Sequence, residues 1–306
     1  MTAAPATMDI RAVAAVGPWG GELADLAAAI ERGGLPSGAS TPVLPLVPGF
    51  VESPFNSLLY DVAKRCLTAA PGDGARTALV VASVMGDTGT TDLASQRLVA
   101  GQTQNPLLFM QATPNAVLGY LSREFQLTGP LTAIGVRARL AGELLDLAEV
   151  LLDDPELDRV LAIGVELVPN HRARACYELL AGAAPPPDAD AAVALLLTRP
   201  ATAPATAPAT APATAPADAP ATTPAARISV RGASAPATGH HALPADGVGI
   251  GAVGSVAGLS WLAVAYAHRS RLGPGTTFVH DLTAPPDRAW LSVRYHPSAD
   301  DRESPR

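Results

Sequence analysis

The sequence predicts an α/β chain with a mainly parallel sheet covered by helices on both faces. Three strand-length runs, at residues 77–83 (TALVVAS), 159–165 (RVLAIGV) and 191–198 (AAVALLLT), are almost continuously apolar, as strands buried on both sides must be. Helical patterns with recognisable caps separate the first two runs, which is the alternation of an α/β fold. The 306 residues are 48% hydrophobic but only 4% aromatic, so small apolar side chains dominate, and the length suffices for one large domain or two ordinary ones.

In chain order, residues 10–16 form a short buried strand, followed by an amphipathic helix over 19–32 that Gly33 and Gly34 close. Between the strands at 77–83 and 159–165 lie two helices. The first, 114–125, has Thr113 as N-cap and Pro114 at its first position; the second, 140–152, stops at Asp153-Asp154-Pro155. The strand at 191–198 runs directly into an APAT repeat over 200–224, where proline recurs every four residues. That density removes backbone donors and fixes φ, so an extended, disordered tether is expected. Beyond it come a strand at 227–231, a glycine-rich helix ending near His268, and a strand at 289–295. The charge-free stretch 247–267 is long enough to span a membrane. Its first half is mostly Gly, Ala and Val and it stands alone, so a buried covering helix is the reading. Three regions result: 1–199, the tether 200–225, and a reduced 226–306.

Asp and Glu number 28 against 21 Lys and Arg, for a formal charge of -7, which argues against an electrostatic nucleic-acid binder. Cys66 and Cys176 cannot build a disulfide framework and no CxxC spacing exists. Asp9 and Arg11 interrupt the first hydrophobic segment, so no secretory signal is predicted and a reducing cytoplasm fits. His240, His241, Asp246, His280 and Asp281 match no zinc spacing, and neither a metal nor a cofactor is expected. His171 and Cys176 stand five apart, which separates them around a helix and disfavours a thiol–base pair.

Residues 105–134 (NPLLFMQATPNAVLGYLSREFQLTGPLTAI) resemble the segment that precedes the nucleophile in β-ketoacyl-acyl-carrier-protein synthases, enzymes of the thiolase fold. Phe109, Asn115, Gly119 and Gly129-Pro130 match that family's pattern, in which the helix lies at a dimer interface. ASVMGDTG at 82–89 resembles the synthase glycine turn, LAIGVE at 161–166 the strand after the nucleophile helix, and 189–197 a further family strand. Residues 227–244 resemble the next strand and turn, and 247–267 the family's glycine-rich helix. The resemblance implies a thiolase-like α-β-α-β-α layering with a shortened C-terminal half.

Decarboxylative condensation requires a thiolate to carry the acyl chain and two histidines to stabilise the enolate. On the family's spacing the nucleophile position is Ala138, the second histidine position is Val248, and the segment for the first histidine is missing. An alanine methyl forms no thioester. The pattern resembles chain-length factors, inactive partners that pair with a catalytic ketosynthase as heterodimers in polyketide, polyene or fatty-acyl biosynthesis and close its acyl tunnel. Ala138 departs from the glutamine that aromatic-polyketide factors usually carry there. The resemblance assigns Phe109, Met110, Gln111, Thr113, Asn115, Ala116 and Val117 to the partner's tunnel and interface, with packing as the plainer role of each. An unbranched thioether makes Met110 the best candidate to meet a chain. It implies indirect contact with an acyl carrier protein, to which Arg172, Arg174, Arg269 and Arg271 could add charge, and no contact with nucleic acid or membrane. Exposed without a partner, Val117, Leu118, Leu121 and Phe125 would promote aggregation. Two alternatives stay open: an acyltransferase working through Cys66 or Cys176, and a thiolase-fold scaffold with no ketosynthase partner.

Overall fold

The computed structural model describes residues 8–32, 42–50, 52–102, 106–137, 139–180, 185–200, 227–233, 251–268, 277–281 and 290–296. Its first sheet holds β1 (Asp9–Val16), β2 (Thr77–Ser83), β3 (Leu131–Gly135), β4 (Arg159–Glu166) and β5 (Ala191–Thr198) in the order β1-β5-β4-β2-β3. β2 pairs in parallel with both β3 and β4, whereas β5 pairs antiparallel with β4 and with β1. Four strands therefore run one way and β5 alone runs against them. The expected mainly parallel sheet stands with that one reversal, which an apolar run cannot reveal because it reports burial and not direction.

Alternation along the strands sorts the core into two layers. Ala12, Ala14, Leu79, Val81, Leu161, Ile163, Ala194 and Leu196 face α2 (Pro54–Ala69) and α5 (Pro114–Phe125). Ile10, Ala78, Val80, Val160, Ala162, Val193 and Leu195 face α1 (Leu23–Glu31), α6 (Leu140–Leu152) and α8 (Ala257–Ala267). The remaining helices, α3 (Thr88–Val99), α4 (Pro106–Gln111) and α7 (His171–Leu179), follow β2 and β4.

α2 had no counterpart in the sequence reading, yet its residues specify it. Ser53 caps it by accepting from the Phe55 amide at 3.3 Å, Pro54 occupies the first turn, and Phe55, Leu58, Leu59, Val62, Ala63 and Cys66 recur at helical spacing on its buried face. The helix expected from residue 19 begins at Leu23 instead, because Gly17 and Gly20 first close a turn in which Gly20 takes φ 120°.

The glycine-rich stretch 247–267 divides. Its described first part is a 3₁₀ turn, Gly251–Val256, broken at Gly254 (φ 57°), and only the following residues form α8. Every residue of α8 from Gly258 to Tyr266 is buried, as a helix apolar all round requires. One side meets the first sheet; the other meets β7 (Thr277–Asp281) of a second sheet, β6-β8-β7, with β6 (Arg227–Ala233) and β8 (Trp290–His296). Helix, sheet, helix and sheet are four layers of the thiolase-like α-β-α-β-α order expected, with three antiparallel strands in the second sheet. No helix among the described residues is long and apolar enough to cross a membrane.

Candidate functional site

In sheets of this kind ligands meet the carboxyl ends of the parallel strands. Here β2, β3 and β4 end at Ser83, Gly135 and Glu166. The Val136 amide donates to the Ser83 carbonyl at 3.0 Å and the Gly86 amide to Ser83 Oγ at 2.9 Å, which holds the two adjacent loops together. The β2–α3 loop is anchored again by buried Asp87. Its Oδ1 accepts from Thr90 N at 3.0 Å and Ser53 Oγ at 2.6 Å, and its Oδ2 from Asn56 Nδ2 at 3.3 Å.

Glu166 is the centre of this end. Only 1% exposed, it accepts from Val84 N at 2.8 Å and Ser255 Oγ at 2.5 Å through Oε1, and from Tyr177 OH at 3.1 Å through Oε2. Burial raises its pKa above the ordinary carboxylate value, and the three donors pull in the opposite direction. Burial and the neighbouring carboxylate likewise raise the Tyr177 phenol. A carboxylate engaged by three donors from three elements is a fastening: it joins β4 to the β2–α3 loop, to α7 and to the turn before α8. Gly164 permits that convergence, since a Cβ there would lie 2.7 Å from Leu259 and 2.8 Å from Leu140.

Ala138 and Val248, the two positions read as emptied of catalytic groups, lie outside the described residues, as do His240, His241, Asp246, Arg269 and Arg271. The cysteines sit away from Glu166. Cys66 is fully buried on α2 with Sγ 3.6 Å from the Ala194 carbonyl oxygen, and burial pushes its thiol up to about 12, far from a thiolate at neutral pH. Cys176 is exposed on α7, and His171 stands exposed at that helix's first turn. Arg172 spends its charge within the chain, on Asp92 at 3.0 Å, and Arg174 is exposed. Among the described residues no three His, Cys, Asp or Glu side chains gather as a metal site.

The residues expected at a partner's tunnel divide between two surfaces. On α4, Phe109 is 78% and Met110 61% exposed, and Thr113, whose Oγ1 donates to the Met110 carbonyl at 2.8 Å, is exposed beside them. Gln111 is half-buried. On α5, Asn115 is exposed and Ala116 half-buried, but Val117 is fully buried against α2 and the sheet with Leu118 and Leu121. The aggregation expectation for Val117, Leu118, Leu121 and Phe125 is thereby corrected: these apolar side chains pack into the chain's own core, Phe125 at its edge. An exposed apolar surface lies one helix earlier, and sequence reasoning missed part of it. Neighbouring α3 ends in Leu98 and Val99, 58% and 88% exposed, and two adjacent apolar residues closing an otherwise polar helix were the available signal.

No protein-family model matches the chain, and no curated protein matches it in sequence. Solved structures do. The complex of the ketosynthase ApeO with its chain length factor ApeC from Xenorhabdus doucetiae aligns over 94% of this chain and 99% of that one, at 15% identity and a TM-score of 0.58. The ishigamide ketosynthase/chain length factor aligns over 95% and 100% respectively, at 17% identity and a TM-score of 0.60. A type II polyketide acyl-carrier protein in complex with its hexaketide-bound ketosynthase, AntDE:AntF, aligns over 95% and 99%, at 11% identity and a TM-score of 0.59. The chain therefore has the thiolase-like fold of ketosynthases and chain length factors. At these identities the likeness establishes the fold, and function must be argued from the chain's own residues.

Proposed function

We propose that the chain is a non-catalytic, chain-length-factor-like subunit that pairs with a catalytic β-ketoacyl synthase and shapes its acyl tunnel. The observation that carries this reading is the exposed apolar pair Phe109 and Met110 on α4, next to Leu98 and Val99 of α3, on a chain with the ketosynthase fold. Large apolar side chains left in water on adjoining helices mark a surface completed by another protein. The alanine at 138 supports the reading, because the family's spacing puts its thiol nucleophile there. So does the unreactive burial of Cys66, the cysteine packed inside the fold.

In such a pair the partner's thiolate would perform the acyl chemistry, and this subunit would act sterically. A side chain at the far end of the tunnel stops elongation because overpacking costs about 1–3 kcal/mol. Met110, unbranched and adaptable, is the residue assigned that role.

Co-expression with a ketosynthase encoded beside it, followed by size-exclusion chromatography, should give a one-to-one complex. Met110→Ala in that complex should lengthen its products. An assembled complex with an unchanged product distribution would remove Met110 from the tunnel, and failure to assemble with any ketosynthase would leave the scaffold alternative. Labelling of the isolated chain by an acyl-thioester probe at Cys176 would instead favour the acyltransferase.

A further inference from the structure

The end of the first sheet opposite Glu166 holds a cavity of about 390 Å³. β4 rises roughly 23 Å from Arg159 to Glu166 at about 3.3 Å per residue, so this cavity is remote from the strand ends at Ser83, Gly135 and Glu166. A polar row crosses the sheet beneath it. Thr198 of β5 pairs with Arg159 of β4, and Arg159 pairs with Thr77 of β2, so the three side chains share one face. Arg11 of β1 and the segment 69–73 after α2 complete the lining.

Three groups here have unused donor capacity. Arg159, 9% exposed, donates from Nε to Thr77 Oγ1 at 2.7 Å and from Nη1 to the Ala70 carbonyl at 2.7 Å, and its Nη2 has no hydrogen-bond partner among the described residues. Gly72 seats the loop directly on this guanidinium, since a Cβ there would fall 2.6 Å from Nη1. The Arg11 guanidinium has neither an ion pair nor a hydrogen bond among the described residues; its backbone carbonyl accepts from Tyr266 OH at 3.0 Å. Thr198 Oγ1 is buried with no hydrogen-bond partner among the described residues, a rare condition for a hydroxyl. The carboxylates nearby are Asp158 and Asp73 in the cavity lining, both already engaged, and buried Asp9, the β1 partner of Thr198. Asp158 accepts from Arg76 Nε and Nη2 at 2.6 and 2.7 Å, and Asp73 Oδ1 accepts from the Ala75 amide at 2.9 Å.

We propose that this cavity binds the phosphate group of a small molecule, with Arg11, the free edge of Arg159 and the Thr198 hydroxyl as donors. Guanidinium forks match phosphate oxygens in geometry as well as charge. The volume exceeds what a bare phosphate fills and lies at the small end of metabolite pockets, which leaves room for a short organic group.

The test titrates the full-length chain with inorganic phosphate and with glycerol phosphate by calorimetry, against chloride at matched ionic strength. Saturable one-site binding is expected, weakened about tenfold or more by Arg11→Gln. Thr198→Val should weaken it about fivefold while leaving the ligand-free melting temperature unchanged or higher, because the hydroxyl it removes satisfies nothing within the protein. Tighter binding of glycerol phosphate assigns the site to an ester and tighter binding of inorganic phosphate to the free ion; either supports the site. Absence of saturable binding would overturn the proposal, and so would an affinity untouched by both substitutions.

Discussion

β4 begins and ends on a buried charge, and the two ends are treated differently. Glu166 meets three donors from three separate elements, whereas Arg159 makes two hydrogen bonds close to its own end of the sheet and has one edge without a partner among the described residues. A buried ion with all its bonds made internally holds the fold together; one with spare capacity beside a cavity can also meet a ligand. At the Glu166 end the charge is thus fully engaged by the protein's own groups, whereas at the opposite end the buried charge lines a cavity.

The largest effect should come from untying Glu166. Glu166→Ala strands the Ser255 and Tyr177 hydroxyls and the Val84 amide, and should cost about 3–5 kcal/mol in urea unfolding. Glu166→Gln, which keeps an acceptor, should cost about 1–2 kcal/mol. A loss near 0.5 kcal/mol for the alanine variant would show that the two ends of β4 do not differ as described. Next in size, Gly164→Val drives methyl groups into Leu140 and Leu259 and should cost about 2–3 kcal/mol by the same measurement.

The contrast between the ends also has a pH signature. Because burial holds the Glu166 pKa above its unfolded value, the folded state binds the extra proton in the window just above the ordinary carboxylate range. Stability from this group is therefore present below that window and is lost as pH rises through it, with a slope of at most about 1.4 kcal/mol per pH unit. Buried Asp190 shifts in the same direction, so the diagnostic quantity is the difference between the parent and Glu166→Gln. Unfolding midpoints of the two proteins should lie furthest apart at the acid end of that range and draw together as pH rises, because only the parent loses stability there. Parallel curves would mean that Glu166 is ionised without penalty.

These two ends also mark how far the sequence could be read. The apolar runs at 77–83, 159–165 and 191–198 became β2, β4 and β5 because continuous apolar character has one structural outcome in a covered sheet. α5 and α6 were legible from Thr113-Pro114 and Asp153-Asp154-Pro155. α2 was equally legible from Ser53-Pro54 and its helical spacing, and was overlooked. The Glu166 cluster was not legible in that way: Ser255 lies 89 residues along the chain, and nothing local in LAIGVE names a partner at that distance. The Thr198, Arg159 and Thr77 row depends on β5 running antiparallel, which no local pattern encodes. On the outer helices the resemblance selected one stretch of chain, but only solvent exposure separates Phe109 and Met110 from Val117, six positions on from the α4 end.

The smallest effect on stability is expected at that surface. Phe109→Ala removes a ring that is mostly in water, so unfolding of the isolated chain should change by no more than about 0.5 kcal/mol. Leu118→Ala, one helix further and fully buried, should cost about 2–5 kcal/mol. Co-elution with a ketosynthase should rank the two variants the other way, because a ring exposed in the free subunit contributes only when a partner covers it and large aromatic side chains dominate such surfaces. If Phe109→Ala destabilised the isolated chain as much as Leu118→Ala did, the ring would already be packed within the subunit and α4 would lose its claim as a docking surface. If it left both stability and co-elution untouched, the partner surface would have to be sought on Leu98 and Val99 instead.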